Sequence, residues 1–109
     1  MVHTKKDFTI TLGERLDAEN VDNFKTLTKQ IMEDPELSGI VIDFSQTKFI
    51  DSIGLGALVS VLKSSTQLNI KIALCKLSPQ VRQIFELTRL YRLFDIFEEG
   101  EEAEIFVKQ

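Results

Sequence analysis

The alternation of apolar and polar residues changes period several times along the chain, and each change marks an element. Phe8, Ile10 and Leu12 alternate with Thr9 and Thr11, the period-two signature of a half-buried strand that Gly13 ends. Leu16-Asp17-Ala18-Glu19-Asn20 follows as a polar turn, with capping chemistry available at Asp17 or Asn20. From Val21 the period lengthens. Val21, Phe24, Leu27 and Ile31 recur at helical spacing, with Lys25, Thr28, Lys29 and Glu33 on other faces. Asp34-Pro35 stops this helix, because proline disfavours a helical residue before it.

Ile40-Val41-Ile42 is a β-branched run, as expected of a strand buried on both faces. Asp43 to Lys48 predicts a loop, after which Phe49-Ile50 re-enters the core. A second helix places Leu55, Leu58, Val59 and Leu62 on one side, and Ser60, Lys63 and Ser64 on the other. Ile70 to Leu74 predicts another strand. Pro79 after Ser78 suits the first turn of a third helix, with Val81, Ile84, Phe85 and Leu87 as its apolar side. Leu93 to Phe97 returns to the sheet. The segment carrying Ile105, Phe106 and Val107 fits a short helix or a strand equally. Strands alternating with helices predict an α/β fold, a mixed central β-sheet covered by α-helices. In such folds sites lie where loops leave the carboxyl ends of strands, which directs attention to the loop after Ile42 and the turn into the second helix.

The chain has 109 residues, and no linker or repeat divides it, so residues 1–109 are expected to form one domain. A content of 43% hydrophobic and 28% charged residues is that of an ordinary globular protein. One cysteine, Cys75, excludes an internal disulfide and suits a reducing compartment. At the strand end it is expected in or near the core. The first seven residues lack the apolar run of a signal peptide, and Leu55–Leu62 is too short to cross a bilayer. Both points predict a cytoplasmic protein. The net charge of −4 is localised: Glu98 to Gln109 hold five glutamates against one lysine, so the preceding 97 residues are neutral. A neutral body has no field to attract nucleic acid. The acidic tail fits a solvated surface or an acidic docking segment.

Candidate chemistry concentrates in Asp51-Ser52-Ile53-Gly54-Leu55-Gly56. Ser52 falls just before an amphipathic helix, where backbone N–H groups lack intrahelical partners. The residues allow two readings, a helix N-cap or a phosphate acceptor. A phosphate there would meet free N–H donors and the positive end of the helix dipole. It would add roughly −1.5 to −2 charges at neutral pH, opposed by Asp51 and Asp43. Gly54 and Gly56 cost about 1 kcal/mol each relative to alanine inside a helix. They call for a close approach, either of a partner's backbone or, for Gly56 equally, of this chain's own sheet. Lys63-Ser64 lies too far into the helix to make a phosphate-binding P-loop.

Three stretches resemble the STAS domain of the anti-sigma-factor antagonist family. They are Gly13-Glu14-Arg15-Leu16-Asp17, Val41-Ile42-Asp43-Phe44-Ser45 and Phe49-Ile50-Asp51-Ser52-Ile53-Gly54-Leu55-Gly56. Phe85-Glu86-Leu87-Thr88 with Leu93-Phe94 resembles the family's later helix and final strand. The resemblance implies a protein that binds an ATP-bound anti-sigma serine kinase and so releases a sigma factor. It implies inactivation by phosphorylation of Ser52, with a serine phosphatase restoring activity. The implied partner surface comprises Asp17, Asp43, Asp51, Ser52, Ile53, Gly54, Leu55 and Gly56. Two departures stand out. Ile53 replaces a frequent serine or threonine and leaves Ser52 as the only acceptor in the motif. Only seven residues precede Phe8, so the first strand of the family is expected to be short or missing.

The same residues bear on other functions. STAS domains also serve unphosphorylated, as subunits scaffolding a transporter ATPase or a larger signalling assembly. An enzyme or nucleotide-binding domain would need a base or a phosphate cradle, and the pattern offers neither. His3, the single histidine, and Cys75 are far apart in sequence, so no metal site, cofactor site or Cys/His nucleophile is expected. Arg82, Arg89 and Arg92 could form a basic patch or simply solvate their segment.

Overall fold

In the computed structural model, which describes residues 6–109, four parallel strands form the central sheet in the order β1-β3-β5-β6. These are β1 (Lys6–Thr11), β3 (Leu37–Asp43), β5 (Lys71–Cys75) and β6 (Asp95–Phe97). A second, two-stranded ribbon pairs β2 (Arg15–Leu16) with β4 (Phe49–Ile50), also in parallel. The expected mixed sheet is therefore corrected to one in which every described pairing is parallel. The cause is connectivity: parallel neighbours require a crossover. Helices α1 (Val21–Met32), α2 (Ser52–Gln67) and α3 (Pro79–Leu87) supply the three crossovers. The expectation about an additional first strand, and that about His3, concern residues outside those described.

Strand burial on both faces explains the β-branched runs. Ile40, Ile42, Ile72 and Leu74 point into the larger core with Phe24, Leu58, Val81 and Phe85 from the three crossover helices. The alternate residues Val41, Ala73 and Cys75 face the other way, against Ala103 and Val107. Those two belong to α4 (Gly100–Lys108), which settles the undecided segment as a helix closing the second face. It lies so close to β3 that a Cβ on Gly39 would overlap Val107. Glu101, Glu102 and Glu104 remain exposed on its outside. The acidic charge thus belongs to a packed helix with a solvated face.

Several faces differ from expectation. On α1 the buried residues are Val21, Phe24 and Thr28, whereas Leu27 is 42% exposed. Thr28 lies one turn from Phe24, and its hydroxyl donates to the Lys25 carbonyl at 2.9 Å, so burial leaves it satisfied. The sheet-facing side of α2 runs through Gly54, Ala57, Leu58 and Val61, with Leu55, Val59 and Leu62 flanking it. On α3, Ser78 caps the helix by accepting from the Val81 N–H, with Pro79 in the first turn. Leu87, expected on its apolar side, is 76% exposed at the helix end. Beyond it, Arg89 adopts a left-handed conformation (φ 61°) and turns the chain into the short 3-10 helix Leu90–Arg92.

Candidate functional site

The two-stranded ribbon is the base of the site. In its register Leu16 opposes Ile50 and Arg15 opposes Phe49. Leu16 and Ile50 turn inward and are buried; Arg15 and Phe49 turn outward. Phe49, expected to re-enter the core, is thus corrected to an exposed residue, because period-two alternation lets only one of the pair face inward. The Arg15 guanidinium sits 6.0 Å from the Phe49 ring centroid, and its Nε is 3.5 Å from Asp17 Oδ2.

Asp51 continues the ribbon into α2. Its N–H donates to the Leu16 carbonyl at 3.3 Å. Its Oδ1 accepts from the Gly54 N–H at 2.7 Å, and its Oδ2 accepts from the Ala18 N–H at 3.4 Å. Asp51, not Ser52, is therefore the N-cap. Ser52 is the first residue of the helix and is exposed, so the capping reading of Ser52 is overturned. A carboxylate in extended backbone reaches the free N–H three residues on, which takes that duty from the serine.

The two glycines have different explanations. A Cβ on Gly54 would overlap the Leu16 carbonyl oxygen, so this glycine lets α2 seat against β2. Gly56 has no atom within 4 Å of such a Cβ and is exposed. Nothing in its own fold requires it. Ile53 is 52% exposed beside it, while Leu55 is half-buried and packs against the core.

Asp17 is buried in the turn before α1. Its Oδ1 accepts from the Glu19 N–H at 3.1 Å, and its carbonyl accepts from the N–H groups of Asn20 and Val21. Asn20 occupies the N-cap position of α1 but does not cap it with its side chain. That amide reaches back, accepting from the Asp17 N–H and donating to the Arg15 carbonyl. Asp43 ends β3. It accepts from the Ser45 N–H at 2.7 Å, and Lys76 Nζ lies 3.7 Å from its other oxygen. Asp17 and Asp51 are thus linked through the turn at Ala18, whereas the carboxylate of Asp43 is engaged by Ser45 and Lys76. Beside Asp43 in the register is Cys75, 1% exposed. Burial, reinforced by the Asp43 charge, pushes its thiol up to about 11.

Thr47 is a structural residue the pattern did not single out. Its hydroxyl donates to the Gly13 carbonyl at 2.8 Å, and its own carbonyl accepts from Ser78 Oγ at 3.1 Å. It therefore joins three loops at the carboxyl edge of the sheet. Its partners lie 34 and 31 residues away, a separation no local pattern reports. The three arginines do not share one surface pocket. Arg82 lines a cleft of about 700 Å³ with Phe85, Glu86, Tyr91, Phe94 and Asp95, and Arg89 and Arg92 stand outside that lining. Among the described residues, no group of three or more His, Cys, Asp or Glu residues is placed to hold a metal. No described helix is long and apolar enough to cross a membrane.

A parallel sheet with helices on both faces, and an exposed serine starting a helix beside an aspartate cap, define the class. The family model of the STAS domain matches residues 1–103, and the chain belongs to that family. Its relatives carry the name anti-sigma factor antagonist. BtrV of Bordetella bronchiseptica, a candidate anti-sigma factor antagonist, is 35% identical over 49 residues, 45% of this chain and 42% of that protein. The match thus spans less than half the length of that curated relative. A candidate anti-sigma factor antagonist of Thermotoga maritima has a crystal structure with TM-score 0.80 and 27% identity, over 93% of this chain and 88% of that one. A sulfate transporter family protein from Wolinella succinogenes shares the fold alone, with TM-score 0.79 at 12% identity over 94% and 84% of the two chains.

Proposed function

We propose that this protein is an anti-sigma-factor antagonist switched off by phosphorylation of Ser52. The observation that carries the reading is the division of labour at the start of α2. Asp51 caps the helix, which leaves the exposed Ser52 hydroxyl without a structural duty. One turn further on, Gly56 keeps the helix surface bare where its own fold does not need it. A partner's backbone approaching along Ile53 and Gly56 accounts for a residue that otherwise costs about 1 kcal/mol.

The partner is an anti-sigma serine kinase with ATP bound. Ser52 Oγ attacks the γ-phosphorus; an Oγ–P bond forms, the bond to the β-phosphate oxygen breaks, and ADP leaves. The hydroxyl proton passes to a base on the kinase. A serine phosphatase reverses the state by hydrolysis. The protein itself is a regulator in the cytoplasm, without catalysis or a cofactor of its own. The phosphate, at the positive end of α2, changes the charge of the docking surface while the fold is retained. Asp17 and Asp51 serve by positioning the turn and the helix start, and Asp43 by shaping the neighbouring loop; Ile53, Gly54, Leu55 and Gly56 form the helix start that the partner meets.

The test is incubation with the cognate kinase and ATP, followed by intact-mass measurement. One phosphate is expected on the wild type and none on Ser52→Ala, and Ser52→Asp should weaken the kinase complex at least tenfold. A wild-type chain that gains no mass would refute the proposal. The competing reading, a fixed subunit of a transport assembly, predicts that Ser52→Ala keeps full function and that an ATPase co-purifies with it.

A further inference from the structure

One wall of the cleft beside Arg82 is an open edge of the sheet. β6 ends the order β1-β3-β5-β6 and pairs only with β5. In a parallel ladder the N–H and C=O of a residue point to the same side, and successive residues alternate. The Phe97 carbonyl accepts from the Lys76 N–H at 3.2 Å. Asp95 and Phe97 therefore bond towards β5, and Ile96 points its N–H and C=O outward. Among the described residues neither group of Ile96 has a hydrogen-bond partner. Asp95, Ile96 and Phe97 all line the cleft, and α3 lines it through Arg82, Phe85 and Glu86. Arg82 is half-buried and Asp95 exposed, and neither joins an ion pair among the described residues. A bare strand edge, an apolar floor and an uncompensated guanidinium thus share one cavity.

We propose that this cleft takes an extended segment of a partner protein, added to β6 as a further strand and read by Arg82 and Asp95. Buried backbone groups need partners, and an unpaired edge supplies main-chain bonds to an incoming strand while side-chain pockets select its sequence. The faces of β6 dictate the pattern. Phe94 and Ile96 face the larger core, as Phe85 of α3 does, whereas Phe97 faces the α4 layer. Asp95, two residues before Phe97, shares that second side. An added strand turns alternate residues to α3, so one apolar residue meets Phe85 and a carboxylate two positions away meets Arg82. The residue between them turns to the other side, where a basic side chain meets Asp95. Glu86, exposed on the rim, repels any second acid. The ligand is therefore an apolar–basic–acidic segment. A volume of about 700 Å³ is that of a ligand pocket, with room for a short segment. The sheet edge of a second copy would bring its own covering helices against α3.

The test titrates the blocked peptide acetyl-Thr-Val-Lys-Glu-Thr-amide into the full chain labelled with nitrogen-15. The Ile96 amide should shift saturably and further than those of Asp95 and Phe97, because of the three it alone gains a partner. The control acetyl-Thr-Val-Glu-Lys-Thr-amide exchanges the two charges and should bind about tenfold more weakly. Arg82→Gln should erase that difference, and the two-peptide comparison on the wild type stands even if this variant does not fold. No saturable shift at Ile96, or equal affinity for the two peptides, would overturn the proposal. So would dimerisation of the chain alone that moves the Ile96 amide, since the cleft would then belong to a second copy. None of these outcomes depends on phosphate transfer to Ser52.

Discussion

Two glycines two residues apart on one helix do opposite things, and substitution at each separates structure from function. At Gly54 an added methyl meets the Leu16 carbonyl oxygen, which is backbone and can move only with β2. Gly54→Ala is expected to destabilise the fold by about 1–3 kcal/mol, read from urea unfolding midpoints. At Gly56 the methyl enters open space, so Gly56→Ala should stabilise the helix by up to about 1 kcal/mol. The same variant should bind the kinase more weakly if the partner approaches there. A stabilised variant with unchanged binding would remove the functional reason for this glycine.

At the scale of elements, α4 decides what becomes of the second face of the sheet. Ala103 and Val107 are fully buried against Val41, Ala73 and Cys75. Val107→Ala removes buried methyl groups from this layer and is expected to cost about 2 kcal/mol. A Val107→Asp substitution should lift the helix, and Cys75 should then react with a thiol reagent at pH 8 in folded protein, where the wild type is protected. Absence of that gain in reactivity would mean the helix does not shield the thiol. Most of these elements were legible from hydrophobic period alone. α4 was not, because Ile105, Phe106 and Val107 are consecutive apolar residues that fit either period, and only the vacant face of the sheet selects a helix. Phe49 was misplaced for a related reason, since a two-residue strand is too short to show alternation.

For the molecule as a whole, the buried thiol predicts a pH dependence of stability. Cys75 rises from its ordinary 9.0 to about 11 through burial, with the Asp43 charge second. A raised acid favours the native state until the unfolded chain begins to ionise. Stability should therefore be unaffected by this group below about pH 8, fall as pH rises from about 9 to 11, and level off beyond. The full change is about 3 kcal/mol. The measurement that isolates this thiol is the difference in unfolding free energy between wild type and Cys75→Ala across pH 8–11. A constant difference would refute it.

The sequence by itself determined the order of the major elements, the position of Ser52 at a helix start and the two-faced burial of β3. It did so because side-chain period, proline and capping chemistry act over a few residues. It also carried the likeness to STAS domains in the Asp51–Gly56 segment. Tertiary structure alone decided the parallel sheet, the capping duty of Asp51 and the different roles of Gly54 and Gly56. It also decided the engagement of Asp17 within its turn and the three loops joined by Thr47. The Asp51 cap and the Asp17 turn close on near neighbours, but the sheet pairing, the seat of Gly54 against Leu16 and the bond from Thr47 to Gly13 depend on partners distant along the chain. Such contacts arise only once the crossover helices have packed on the sheet and brought those backbones together.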